Sequence, residues 1–151
     1  MISIVGTGRV GSSIAFLCLS NALDDVLLVN RSKEKAIGEA LDIASAIPSH
    51  SKFSIRGTDD YSEISGSKIV VITASVGIYM KDRTENMALQ VNMIKEIAAK
   101  IKQYCPSAII LLVSNPLDVL TYFFQKESSL PRFKVIGIAS NLDTSRFRYY
   151  I

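Results

Sequence analysis

Short, almost wholly apolar runs recur along the chain, and most are followed by a longer stretch with apolar side chains every three or four positions. The runs at 2–5, 26–29, 69–73 and 109–113 are rich in β-branched residues and leucine. Continuous apolar runs of this length are the pattern of strands buried on both faces. Weaker runs at 53–56 and 135–138 complete a set of six predicted strands. Between them, helical spacing predicts helices over 12–22, 33–46, 84–104 and 118–126, with a final helix starting near Leu142. In the second helix the buried stripe is Ala36, Ala40, Ile43 and Ile47, and Pro48 stops it. In the third the stripe is Met87, Val91, Ile94, Ile97, Ala98 and Ile101, closed by Pro106. Residues 59–65 read as a short connecting helix or turn and 74–83 as an irregular loop. Alternating strands and helices with apolar strands predict an α/β domain with a doubly wound, parallel, six-stranded sheet covered on both faces.

Composition adjusts this picture in a few places. The 151 residues suit one domain, and 48% hydrophobic residues are ample for a core. Mean hydropathy of +0.27 is high, which fits either a thick covered sheet or apolar surface belonging to an interface. The last helix runs through Arg146, Phe147, Arg148, Tyr149, Tyr150 and Ile151 with no Gly, Asn or Pro to stop it. The expectation is therefore a chain cut inside a helix, with Asn141 or Asp143 as its N-cap. Net charge is +3 and spread along the chain, which argues against a nucleic-acid partner. Cys18 and Cys105 have no metal-type spacing and are expected as free thiols, no run is long enough to span a membrane, and a cytoplasmic protein is expected.

The first strand opens into Gly6-Thr7-Gly8-Arg9-Val10-Gly11. In a Gly-x-Gly-x-x-Gly turn the first glycine permits the tight bend, and the second lets backbone approach a pyrophosphate. The third lets the helix pack on the strand. The helix then offers free N–H groups and its positive end to phosphate. The motif alone is weak, but here it follows a strand, opens a helix and precedes a second strand. That context predicts a Rossmann-type dinucleotide-binding domain, with Gly6, Gly8, Arg9, Val10 and Gly11 at the cofactor. The second strand ends at Asn30, where NAD-binding domains of this kind carry an acid for the adenosine ribose. Asn30 can accept a hydrogen bond but does not repel a 2′-phosphate, and Arg31, Ser32 and Lys33 suit phosphate contacts. NADP or dual use is thus slightly favoured over NAD; the same stretch also reads as a solvated turn with a helix cap at Ser32.

Residues 113–122, Val113-Ser114-Asn115-Pro116-Leu117-Asp118 onward, closely resemble the V-S-N-P-V-D motif of the lactate/malate dehydrogenase family. Residues 137–148, with Leu142-Asp143-Thr144-Ser145-Arg146-Phe147-Arg148, resemble that family's L-D-S-x-R-F-R segment. Residues 69–74 resemble its fourth strand ending in T-A-G, and Ala40-Leu41-Asp42-Ile43 is also typical. The resemblance implies roles for individual residues. Thr73, Ala74 and Val113 would line the cofactor site, and Asn115 would contact the nicotinamide and the reacting oxygen. Asp143 would orient a catalytic histidine, Arg146 would clamp a substrate carboxylate, and Arg83 would polarise the substrate carbonyl from a closing loop. The implied substrate is a small 2-hydroxy or 2-keto acid. The full-length protein is expected to be a homo-oligomer paired through the helix at 33–46.

Three departures accompany the resemblance. The family's catalytic histidine, in an H-G-[DE]-S stretch, is expected beyond this chain together with the substrate domain; His50 sits in an unlike loop. The loop 74–83 differs from the family pattern, with Ile78 where malate enzymes carry an arginine and Lys81 nearby. Asn30 replaces the usual acid. The leading expectation is the cofactor-binding half of a 2-hydroxyacid dehydrogenase, inactive by itself. The alternative is a stand-alone NAD(P)- or nucleotide-binding module without catalysis.

Overall fold

A computed structural model describes residues 1–47, 52–76 and 86–151. Six strands form one sheet: β1 (Ile2–Val5), β2 (Val26–Val29), β3 (Ile55–Thr58), β4 (Ile69–Ile72), β5 (Ile109–Leu112) and β6 (Val135–Gly137). Among the described residues five α-helices accompany them: α1 (Arg9–Ser20), α2 (Lys33–Ala46), α3 (Met87–Tyr104), α4 (Leu117–Ser128) and α5 (Ser140–Tyr150). The strand order is β3-β2-β1-β4-β5-β6, and every pairing is parallel. Chain order therefore reverses between β1 and β4. In open parallel sheets that reversal leaves a crevice at the carboxyl ends of the strands.

Strands β1, β2 and β4 are covered from both sides, as their pattern requires, whereas β5 and β6 leave Ile109 and Ile136 exposed, so the two-sided cover expected from the sequence stops short of that edge of the sheet. Val5, Leu27, Val29, Val70, Ile72, Ile110 and Leu112 meet α3 (Val91, Ile94, Ile97, Ala98, Ile101) and α4 (Leu120, Phe124). Ile2, Ile4, Val26, Leu28 and Val71 face the other way, onto Ala15 and Leu19 of α1 and Ala40 and Ile43 of α2. Each large side chain fully withdrawn from water in these layers contributes roughly 1.5–3 kcal/mol. Cys18 and Cys105 are free thiols, Cys105 buried and Cys18 half-buried. Among the described residues no helix is long and apolar enough to cross a membrane.

The departures from the sequence pattern lie at element ends. α1 starts at Arg9, three residues before the predicted start, because Gly8 itself is the N-cap. β3 lies two residues later than the run at 53–56. Pairing with β2 sets Ile55 beside Val26 and Thr58 beside Val29, and Arg56 and Gly57 carry no apolar signal. Asn141 and Asp143 do not cap α5: the helix starts at Ser140, its N-cap is Ala139 without a side-chain bond, and both residues lie in its first turns. Pro48 as the stop of α2, the helix start at Thr84, His50, Ile78, Lys81 and Arg83 lie outside the described residues.

Candidate functional site

The turn after β1 is pinned between its neighbours before any ligand is considered. Gly6 N–H donates to the Val29 carbonyl (2.9 Å), Thr73 N–H donates to the Val5 carbonyl (2.9 Å), and Thr73 Oγ1 donates to the Gly6 carbonyl (2.8 Å). Gly6 has φ +106°, which an L side chain rarely adopts, and a Cβ there would stand 2.7 Å from the Ala74 nitrogen. Gly11 faces a harder limit. A Cβ on it would lie 1.9 Å from the Gly6 carbonyl oxygen and 2.8 Å from Thr73 Oγ1. Gly6, Gly11, Thr73 and Ala74 thus interlock, and α1 leaves the sheet at the one angle this permits.

Gly8 differs: a Cβ there would meet nothing within 4 Å. It is the N-cap of α1, without a side-chain cap bond, and no acid occupies the first turn. The first i to i−4 bond runs from Ser12 N–H to the Gly8 carbonyl (2.9 Å). The N–H groups of Arg9, Val10 and Gly11 precede it and have no such partner within the helix. An open glycine, free N–H groups and the positive end of a helix are the donor set that a pyrophosphate fits.

A cleft of about 310 Å³ lies at this point. Of the residues expected at the cofactor, it is lined by Gly6, Gly8, Asn30, Arg31, Thr73 and Ala74. Arg9 and Val10 are exposed on the first turn of α1, and Gly11 is buried beneath it. Val113 is half-buried and Asn115 exposed, at the end of β5; the Asn115–Pro116 peptide is cis. The two strand ends are tied by Ser114 Oγ, which donates to the Ala74 carbonyl at 2.7 Å. Ser32 serves α2, its hydroxyl accepting from Lys35 N–H (3.2 Å) and donating to Glu34 (3.2 Å).

Asp143 and Arg146 are not brought into the cleft. Both are exposed on α5, which buries none of its residues, and they pair with each other at 3.3 Å. Arg83 lies outside the described residues.

Several cleft residues had no sequence signal. Thr7, Lys35, Tyr61, Met93, Glu96 and Lys100 line it, as does Ile97. Tyr61 sits on a short 3₁₀ turn (Tyr61–Ile64) held by Thr58 and Arg56, which both donate to Glu63. Burial pushes the Tyr61 hydroxyl up to about 12; Arg31 works against that shift and Glu96 adds to it. Lys100 Nζ lies 4.5 Å from the Tyr61 ring centroid. This wall is an apolar floor rimmed by the cations Arg31, Lys35 and Lys100 and the carboxylate of Glu96, suited to a flat heteroaromatic ring with phosphate attached. An aromatic residue in a predicted connector was the one available hint. Among the described residues no cluster of metal-ligating side chains occurs.

A family model described as lactate/malate dehydrogenase, NAD binding domain, matches residues 1–137. A malate dehydrogenase of Archaeoglobus fulgidus is 41% identical over 152 aligned residues, taking in 97% of this chain and 51% of that protein. A lactate dehydrogenase from Cryptosporidium parvum, solved with lactic acid and b-nicotinamide adenine dinucleotide, matches with a TM-score of 0.95. It is 40% identical, over 99% of this chain and 48% of that one. The malate dehydrogenase from Aeropyrum pernix matches with a TM-score of 0.90 at 36% identity, over 99% and 48% of the two chains. The chain spans about half the length of these relatives.

Proposed function

Because the chain belongs to the lactate/malate dehydrogenase family through its NAD-binding domain, we propose that it is the cofactor-holding half of an oxidoreductase acting on a small 2-hydroxy or 2-keto acid. The observation that carries this reading is the uncapped start of α1 opening on a cleft at the strand-order reversal. When bound, the nicotinamide cofactor supplies a hydride acceptor or donor. The chain's own residues hold and orient. The N–H groups after Gly8 take the pyrophosphate, and the wall of Tyr61, Met93 and Ile97 takes the adenine. Asn115, beyond β5, holds the carboxamide end and the reacting oxygen.

Asp143 and Arg146 carry the substrate chemistry in this proposal. Their mutual pair is exposed, so separating it costs less than about 1 kcal/mol. Asp143 is then free to orient a histidine and Arg146 to clamp a carboxylate bidentately. Arg83 polarises the substrate carbonyl. The histidine and the rest of the substrate pocket come from a second domain, a reading supported by the chain's share of its relatives' length. Exposed Ile37 and Leu41 on α2 support pairing of two copies there, and the two free thiols suit a cytoplasmic setting.

The proposal extends to NADP. Asn30 brings no charge against a 2′-phosphate, and Arg31 and Lys35 line the same cleft. Titration calorimetry of the chain with NAD and NADP tests both levels. We expect binding of both, negligible turnover of pyruvate or oxaloacetate, and a preference shifted toward NAD by about tenfold in Asn30→Asp, equivalent to about 1.4 kcal/mol. Robust turnover by the chain alone overturns the division of labour. Binding of neither cofactor overturns the site, and unchanged NADP affinity in Asn30→Asp overturns the role given to Asn30.

A further inference from the structure

Thr7 is fully buried and lines the cleft. Its Oγ1 accepts from Asn30 Nδ2 at 2.5 Å. On the opposite edge of the same amide, Oδ1 accepts from Ser32 N–H at 3.1 Å. A backbone N–H can only donate, so the atom facing Ser32 must be the oxygen. The nitrogen is then the edge turned to the phosphate loop, and Thr7 holds it there. Asn30 N–H in turn donates to the Thr58 carbonyl at 3.0 Å, which fixes the backbone beneath the amide.

We propose that Thr7 is a specificity-determining residue of this site: by accepting from Asn30 it locks the amide so that an N–H is offered to the ribose end of the cleft, selecting a 2′-phosphate. An amide carries two nitrogen-bound hydrogens. Thr7 takes one, and the second suits an acceptor such as a phosphate oxygen. The oxygen has already spent one lone pair on Ser32 N–H, so Asn30 cannot accept from two ribose hydroxyls as a carboxylate does. Thr7 touches the ligand only through Asn30 and is therefore a positioning residue. The inference rests on the cleft being the dinucleotide site.

The test compares Thr7→Val and Thr7→Ser with the unaltered chain, by calorimetric titration with NADP and NAD. Loss of the lock in Thr7→Val weakens NADP binding about three- to tenfold, the range of one net hydrogen bond. NAD binding stays within about twofold, and Thr7→Ser, which keeps the hydroxyl, restores the NADP value. Equal weakening of both cofactors, or of neither, overturns the role of Thr7 while leaving the site itself standing. Failure of the unaltered chain to bind either cofactor overturns both. A measurement on the unaltered chain covers the case in which Thr7→Val does not fold. Adenosine 2′-monophosphate shifts the Asn30 side-chain amide resonances, identified by their absence in Asn30→Asp, and adenosine 5′-monophosphate does so far less. Equal shifts from the two nucleotides, or none from the first, overturn the proposal.

Discussion

Two helices leave the same end of the sheet, α1 after β1 and α2 after β2, and they begin in opposite ways. α2 starts as a self-sufficient helix does. Ser32 caps it by accepting from Lys35 N–H, and Glu34 sits in its first turn. The Glu34 carboxyl is held below its usual range, chiefly by its own backbone N–H and then by the Ser32 hydroxyl. α1 has none of this. Its cap is a glycine with no side chain to offer, and its first helical residue is the cation Arg9, as that of α2 is Lys33, but with no acid beside it to offset the charge as Glu34 does in α2. A cation at the positive end of a helix is unfavourable by itself. The second arrangement makes sense where an external anion completes the turn, and the cleft lies at that end. Local stability has been given up at α1 and kept at α2, and the place where it is given up marks the site.

The largest expected effect comes from separating the two duties of the α1 turn. Gly11→Ala drives a methyl into the Gly6 carbonyl and Thr73. We expect a loss of about 3 kcal/mol or more, at the upper end of overpacking costs, measured by urea unfolding. Gly8→Ala places its methyl in open space at φ −82°. Stability should fall by no more than about 1 kcal/mol, the cost of alanine at an N-cap, while dinucleotide affinity falls by about tenfold or more, since the methyl enters the volume a pyrophosphate needs. If Gly8→Ala leaves affinity intact, the open start of α1 is not the phosphate site.

At α2 the effects should reverse. Ser32→Ala removes the acceptor of the Lys35 N–H, at a cost of about 1 kcal/mol in unfolding free energy. Dinucleotide affinity should change by less than about twofold, because Ser32 does not line the cleft. A large loss of NADP affinity in Ser32→Ala would return this serine to the phosphate contacts expected from its neighbours Arg31 and Lys33.

The contrast shows how far sequence alone reaches. Strands β1, β2, β4 and β5 were plain because all their residues but Ser3 are apolar, and the glycine turn because its spacing is set by backbone geometry. β3 was displaced because an edge strand takes its limits from its partner, and Arg56 and Gly57 look like loop residues. On the site, Gly6, Gly8, Asn30 and Arg31 were legible, since each stands at the carboxyl end of a strand or in the turn after it, and Thr73 and Ala74 through the family resemblance. The opposite wall was not. Ile97 belongs to a helical stripe that reads as core, and Lys100 looks like any solvated helix position until the Tyr61 ring is found 4.5 Å from its ammonium group. Thr7 escaped for a related reason: it fills a variable place in the motif, and only the fold brings Asn30 against it.

The smallest effect is the most direct probe of the comparison. Arg9→Glu gives α1 the acidic first turn that α2 already has. An acid at a helix start is worth about 0.3–1 kcal/mol at low salt. For a chain of this size, that raises the thermal midpoint of the ligand-free protein by about one to four degrees. The same substitution sets a carboxylate at the turn that receives the pyrophosphate, so dinucleotide binding weakens. Arg9 is exposed, and screening over about 10 Å at 0.1 M salt shrinks both effects together. A variant that binds less well and also melts lower has simply lost structure. A variant that melts higher and binds less well shows that the start of α1 is left incomplete for a ligand to finish.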